Sequence, residues 1–158
     1  MVQDQASTRP GNGPPEETGD APPPRYVIDP NLAAAAHRSL PMLIAGRRCY
    51  ACQSAEDVSE SSEIQPIIDR IAEHCEQTSD FLLPDTPLKE AIFRVILAGG
   101  NQPRAAAEIS RILSDKWALT AYPRDASPKV VQRLLDHSAS YCVARVAEPE
   151  AEETEQAK

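Results

Sequence analysis

The sequence predicts a mainly α-helical protein: a three-helix-plus-strand domain over residues 85–146, preceded by a smaller helical, zinc-binding unit over residues 25–84. Three observations predict it. Apolar residues recur at helical spacing in three successive blocks between Leu88 and Leu135. A short run rich in Val and Tyr, 141–146, follows the third block and suits a strand. A Cys49-x-x-Cys52 pair stands ahead of a helical stripe that ends in His74-Cys75.

Each element has its own local reason. Thr86-Pro87 reads as a helix start, with a hydroxyl to cap free N–H groups and a proline at the first helical position. Leu88, Ala91, Ile92, Val95 and Ile96 then form one apolar stripe, and Gly99-Gly100-Asn101 ends it, since glycine takes the left-handed conformation at little steric cost. Pro103 is expected to open a second helix carrying Ala105, Ile109, Ile112 and Leu113 on one face, with Trp117 just beyond. Ser127-Pro128 is a further cap-plus-proline start, and Val130, Val131, Leu134 and Leu135 bury the third helix. Three helices followed by a strand is the order of a winged helix-turn-helix.

The stretch PLKEAIFRVILAGGNQPRAAAEISRILSDKW resembles the opening of a HARE-HTH winged helix, the domain type of the bacterial RNA polymerase delta subunit. The shared pattern is an amphipathic first helix, a turn containing proline, the Ala107-Glu108-Ile109 helix, the Ser127-Pro128 start and the strand from Tyr141 to Val146. The wing departs from it. A glycine-rich hairpin should follow the strand, yet the chain runs on into Ala147-Glu148-Pro149. The resemblance implies a module that faces duplex DNA or RNA polymerase.

In the preceding unit, Tyr26-Val27-Ile28 reads as a short strand added to the edge of something. Asp29-Pro30 starts a helix with Leu32, Ala33, Ala36, His37 and Leu40 inward, which Pro41 should kink or end. Ser62-Glu63-Ile64-Gln65 reads as a capping box, and behind it Ile64, Ile67, Ile68, Ile71, Ala72 and Cys75 line one face. Residues 1–24 and 147–158 lack apolar periodicity and are expected to be disordered. No run approaches membrane-spanning length and no signal peptide is evident, so a soluble, cytoplasmic protein is expected.

The four cysteines, Cys49, Cys52, Cys75 and Cys142, are then expected to be reduced. A C-x-x-C turn can put two thiolates on one tetrahedral ion, and His74 with Cys75 offers a nitrogen and a sulfur to complete it. Neighbours in a regular helix point about 100° apart, so His74 and Cys75 can both bind only if the helix ends there. His37 and Cys142 are the other candidates for fourth ligand, and four-cysteine iron–sulfur ligation is a further reading. Cys75 also continues the apolar stripe, as a buried small hydrophobe would. A redox-active C-x-x-C is disfavoured, because such motifs open a helix that follows a strand.

Net charge is −8, but it is unevenly spread. Residues 81–146 hold nine basic and six acidic side chains, +3, while residues 1–24, 25–80 and 147–158 stand at −3, −4 and −4. The winged-helix segment is thus the one basic part, which keeps a nucleic-acid partner in play. Catalysis finds no support: there is no glycine-rich phosphate loop, no G-x-S-x-G, no H-E-x-x-H, and no sign of a small-molecule substrate. On the third helix Lys129, Gln132, Arg133, Asp136 and His137 face away from the apolar stripe. In a helix-turn-helix that face enters the major groove, where Gln and Arg read bases and Lys holds phosphate. Asp136 would repel phosphate. Two functions fit: a transcription-related DNA-binding protein with a zinc-stabilised N-terminal unit, or a protein-interaction adaptor docking on a partner such as RNA polymerase.

Overall fold

The computed structural model describes residues 22–120 and 124–146. The two expected disordered tails lie outside those residues, apart from positions 22–24. Strand β1 (Arg25–Ile28) comes first, followed by helices α1 (Pro30–Ala35), α2 (Leu40–Ala45), α3 (Tyr50–Ala55) and α4 (Ile64–Glu73). Helix α5 (Leu88–Ala98), strand β2 (Arg104–Ala105), helices α6 (Ala106–Lys116) and α7 (Pro128–Leu135), and strand β3 (Val143–Arg145) complete it. The protein is mainly helical, with a three-stranded antiparallel sheet in the order β2-β1-β3.

β1 is therefore the central strand, where the sequence suggested an edge. Tyr26 faces Arg104 on one side and Arg145 on the other, and Ile28 faces Val143. Its free end is held by the amide of Asn101, which accepts from Ile28 N–H at 2.7 Å and donates to Ile28 C=O at 3.1 Å. Asn101 and Gly100 both have positive φ, the turn that stops α5 and aims this side chain. Asp29 N–H continues the pairing onto Cys142 C=O at 2.7 Å. Tyr26 and Ile28 are buried to 1 % exposure. A four-residue strand with two such side chains is stable only between partners, because it has no local hydrogen bonds of its own.

Several helix starts differ from expectation by a residue or more. The first helix does not run to Pro41: it stops at Ala35, His37 takes φ 56°, and a new helix begins with Ser39 as its cap. Pro41 sits in the first turn of α2, where its missing N–H costs nothing, so it helps to start a helix rather than end one. Thr86 does not cap α5, whose cap position is Pro87. The Ser62–Gln65 capping box does not form, because Ser62 Oγ instead accepts from Ser59 N–H at 3.0 Å. Pro103 is followed by β2 before α6 begins at Ala106, and Glu108 reaches back to Ala105 N–H at 3.2 Å. The expected strand from Tyr141 is shorter, since Ala139–Tyr141 is a 3-10 turn and Cys142 is left-handed at φ 62°.

The buried side chains form one continuous cluster. Ile44, Ile68 and Ile71 of the N-terminal half belong to it together with Ile92, Phe93, Ile96, Ile109, Leu113, Val131 and Leu135 of the C-terminal half. No helix among the described residues is long and apolar enough to cross a membrane.

Candidate metal centre

Cys49 is the residue before α3, so Cys52 falls one turn in and both sulfurs point to the same side of the helix start. The Cys52 backbone N–H lies against the Cys49 sulfur and favours the thiolate, holding that thiol down at about 7 although its partial desolvation opposes this. On the facing element, α4 ends at Glu73 and His74 has φ −130° and ψ −58°, outside helical geometry. Cys75 then starts a 3-10 turn, Cys75–Gln77. This break removes the 100° divergence that a continuous helix would impose on adjacent side chains. His74 and Cys75 converge on the same point.

The four ligand atoms all lie within 4.8 Å of one another. His74 Nδ1 is 3.5 Å from Cys49 Sγ and 3.6 Å from Cys52 Sγ, and Cys75 Sγ is 3.7 Å from Cys52 Sγ. A tetrahedral ion with Zn–S bonds of about 2.3 Å and a Zn–N bond of about 2.05 Å requires S···S separations of about 3.8 Å and S···N separations of about 3.6 Å. Those three separations meet that requirement, and the other three lie within 4.8 Å. Cys75 is fully buried, and its burial pushes the thiol up to about 12. A cation is the ordinary means of keeping a thiolate at such a place, since a coordinating thiol is deprotonated outright. Arg48 adds positive charge beside the site, donating from Nη1 to Cys52 C=O at 3.2 Å. Four protein donors leave no open position, the pattern of a structural rather than a catalytic site.

The other candidates are elsewhere. His37 sits in the turn between α1 and α2, and Cys142 is buried beside β1 with its carbonyl on Asp29 N–H. Cys142 is thus a core residue, and the four-cysteine iron–sulfur reading fails for want of a fourth sulfur. The C-x-x-C does open a helix, but after α2 rather than a strand, and with a third sulfur and an imidazole against it. That arrangement suits a metal better than thiol–disulfide exchange.

On α7, Lys129 and Arg133 are exposed and Gln132 is half-buried, while His137, expected on the same helix, is exposed just past its end at Leu135. Gln132 is not free: its amide donates to Tyr26 Oη and, at 3.2 Å, to Asp136 Oδ2. Tyr26 donates to Asp136 Oδ1 at 2.5 Å, and Arg145 donates to the same oxygen at 3.2 Å. The Tyr26 hydrogen bond comes first among the causes that hold the Asp136 carboxyl below its ordinary range. The ring of His137 meets Arg133 C=O at 2.8 Å. Lys129 and Arg133 are left as cations without an ion pair among the described residues. The network around Tyr26 had no signal in the sequence, because its members lie up to 119 residues apart.

The chain matches no protein-family model, no curated protein and no solved structure.

Proposed function

We propose that the protein is a non-catalytic, transcription-related DNA-binding protein in which zinc at Cys49, Cys52, His74 and Cys75 staples the N-terminal helices. The order α5, β2, α6, α7, β3 supports a winged-helix reading for the C-terminal half, with α7 as the recognition helix. The observation that carries the DNA reading is the outer face of α7. Lys129 and Arg133, one turn apart, project as exposed cations, while Asp136 is drawn back onto Tyr26 and Arg145. The acidic residue that counted against phosphate contact is thus paired with Arg145 and hydrogen-bonded to Tyr26.

Titrating labelled duplex over a salt series tests this. Lys129→Ala should weaken binding to any duplex and reduce the slope of log affinity against log salt by about one unit. Arg133→Ala should cost about 1–3 kcal/mol on a preferred site and less on random DNA. Wild-type binding by both variants would remove the DNA reading.

A second reading rests on the sheet. Its central strand is β1, from ahead of all the helices, and among the described residues no further strand follows β3 to pair with it as a wing hairpin would. That favours an adaptor that docks on a protein such as RNA polymerase. Retention of polymerase subunits by the Lys129→Ala, Arg133→Ala double variant, without duplex binding, would select it.

A further inference from the structure

A second site lies between the ends of α5 and α6. It is a cavity of about 210 Å³ lined by the apolar Leu82, Val95, Ala98 and Ile112 and by the charged Arg104, Lys116 and Glu76. Arg104 lies flat on Gly99: a β-carbon there would come within 2.6 Å of Nε and of one terminal nitrogen. The backbone of Gly99, at φ −89°, would accept any residue, so the glycine makes room for the guanidinium and not for a turn. Arg104 Nε is nevertheless buried with no hydrogen-bond partner. No ion pair among the described residues uses this side chain. Nε is closed off against Gly99, so the terminal nitrogens are what the guanidinium can offer to a ligand.

We propose that this cavity binds a monocarboxylate carrying a short aliphatic group. The two terminal nitrogens of the guanidinium match a carboxylate in two parallel hydrogen bonds. Two cations against one carboxylate leave a single net positive charge in the lining. A dianion such as phosphate would meet Glu76 with charge to spare, whereas a monoanion balances it. The apolar wall takes the aliphatic part, and the volume has room for roughly seven water-sized groups of ~30 Å³ each. Such a ligand can be a free acid or the C-terminal carboxylate of a chain ending in a leucine-like residue.

Pentanoate titrated into the full-length, isotopically labelled protein, followed by backbone amide spectra, tests the site. Saturable shifts at Gly99, Gly100 and the Arg104 amide are expected, with none from the uncharged pentanamide. Arg104→Gln should weaken binding at least tenfold. Gly99→Ala should do the same with the charge retained, by displacing the guanidinium. If Gly99→Ala does not fold, Arg104→Gln still decides. A short peptide ending in leucine separates the two sources: tighter binding than pentanoate assigns the site to a chain terminus, weaker binding to a free acid. Absence of saturable shifts, equal shifts from pentanamide, or unchanged affinity in Arg104→Gln would overturn the proposal.

Discussion

Glu90 shows how much one side chain can organise. It takes Arg47 through two hydrogen bonds, 2.8 and 2.6 Å, and Arg94 at 2.8 Å, with 14 % of its side chain exposed. Burial alone would push its carboxyl up, but the hydrogen bonds from Arg47 and then Arg94 outweigh this and hold it below its ordinary 4.5. Arg47 in turn lies over the rings of Phe93 and Tyr141 at 5.1 and 5.8 Å. Glu90→Gln leaves two half-buried guanidinium groups short of their charge partner and should destabilise by about 2–3 kcal/mol in urea melts. The sign with pH follows from the depressed value. The folded form binds the proton less readily than the unfolded chain, so the contribution is complete above about pH 4.5 and is lost as pH falls through the lower folded value. The wild type should lose stability over that acid range, and Glu90→Gln should lose less.

Between elements, two ties matter most. The first is the four-ligand cluster, which pins the start of α3 to the end of α4. α3 has six residues and no buried one, too short to stand alone and with only Cys52 packed against the core. Loss of the ion should therefore melt α3 first and lower the whole transition. The double variant Cys49→Ser, Cys52→Ser, or wild type treated with a chelator, should lose roughly 10 °C of Tm by calorimetry, because metal-binding energy in such sites is folding energy. Elemental analysis of protein purified without chelator should find one zinc per chain; metal-free protein with an unchanged Tm would refute the staple. The second tie is Tyr26, which joins β1 to α7 and β3 through Asp136, Gln132 and Arg145. Tyr26→Phe keeps the buried ring and removes the hydroxyl, so about 1–2 kcal/mol should be lost, the partly exposed Asp136 recovering some solvation. The same change removes the shortest of the three hydrogen bonds that hold Asp136, leaving those from Arg145 and Gln132. Duplex affinity should fall with it if the outer face of α7 meets phosphate.

At the scale of the whole molecule, the sheet binds the two halves of the chain together. β1 ends sixty residues before α5 begins, yet it supplies the only strand that both β2 and β3 pair with among the described residues. A fragment of residues 85–158 keeps every helix of the C-terminal half but leaves β2 and β3 unpaired and the Leu135 and Val143 side of the core uncovered. It should melt without cooperativity by circular dichroism. A fragment of residues 22–146 should melt cooperatively, near the full chain. A cooperative 85–158 fragment would show that β1 is dispensable.

The sequence by itself determined what local forces decide. Apolar spacing placed α4, α5, α6 and α7, since one face of a helix must be buried whatever lies opposite. The Cys49, Cys52, His74 and Cys75 set was also legible, because ligand types and a helix ending at His74 are local properties. Helix starts were less so: Ser39 with Pro41 and Ser62 with Gln65 offer the same cap chemistry, and neighbouring turns chose between them. What only the tertiary structure decided was pairing across distance. Four residues at 25–28 carry no mark of being central, because a strand's hydrogen bonds are made with partners that the local sequence does not name. For the same reason Gln132 and Asp136 read as an outward face until Tyr26 and Arg145 arrived beside them, and nothing near Arg104 in the chain marks that its guanidinium lies on Gly99.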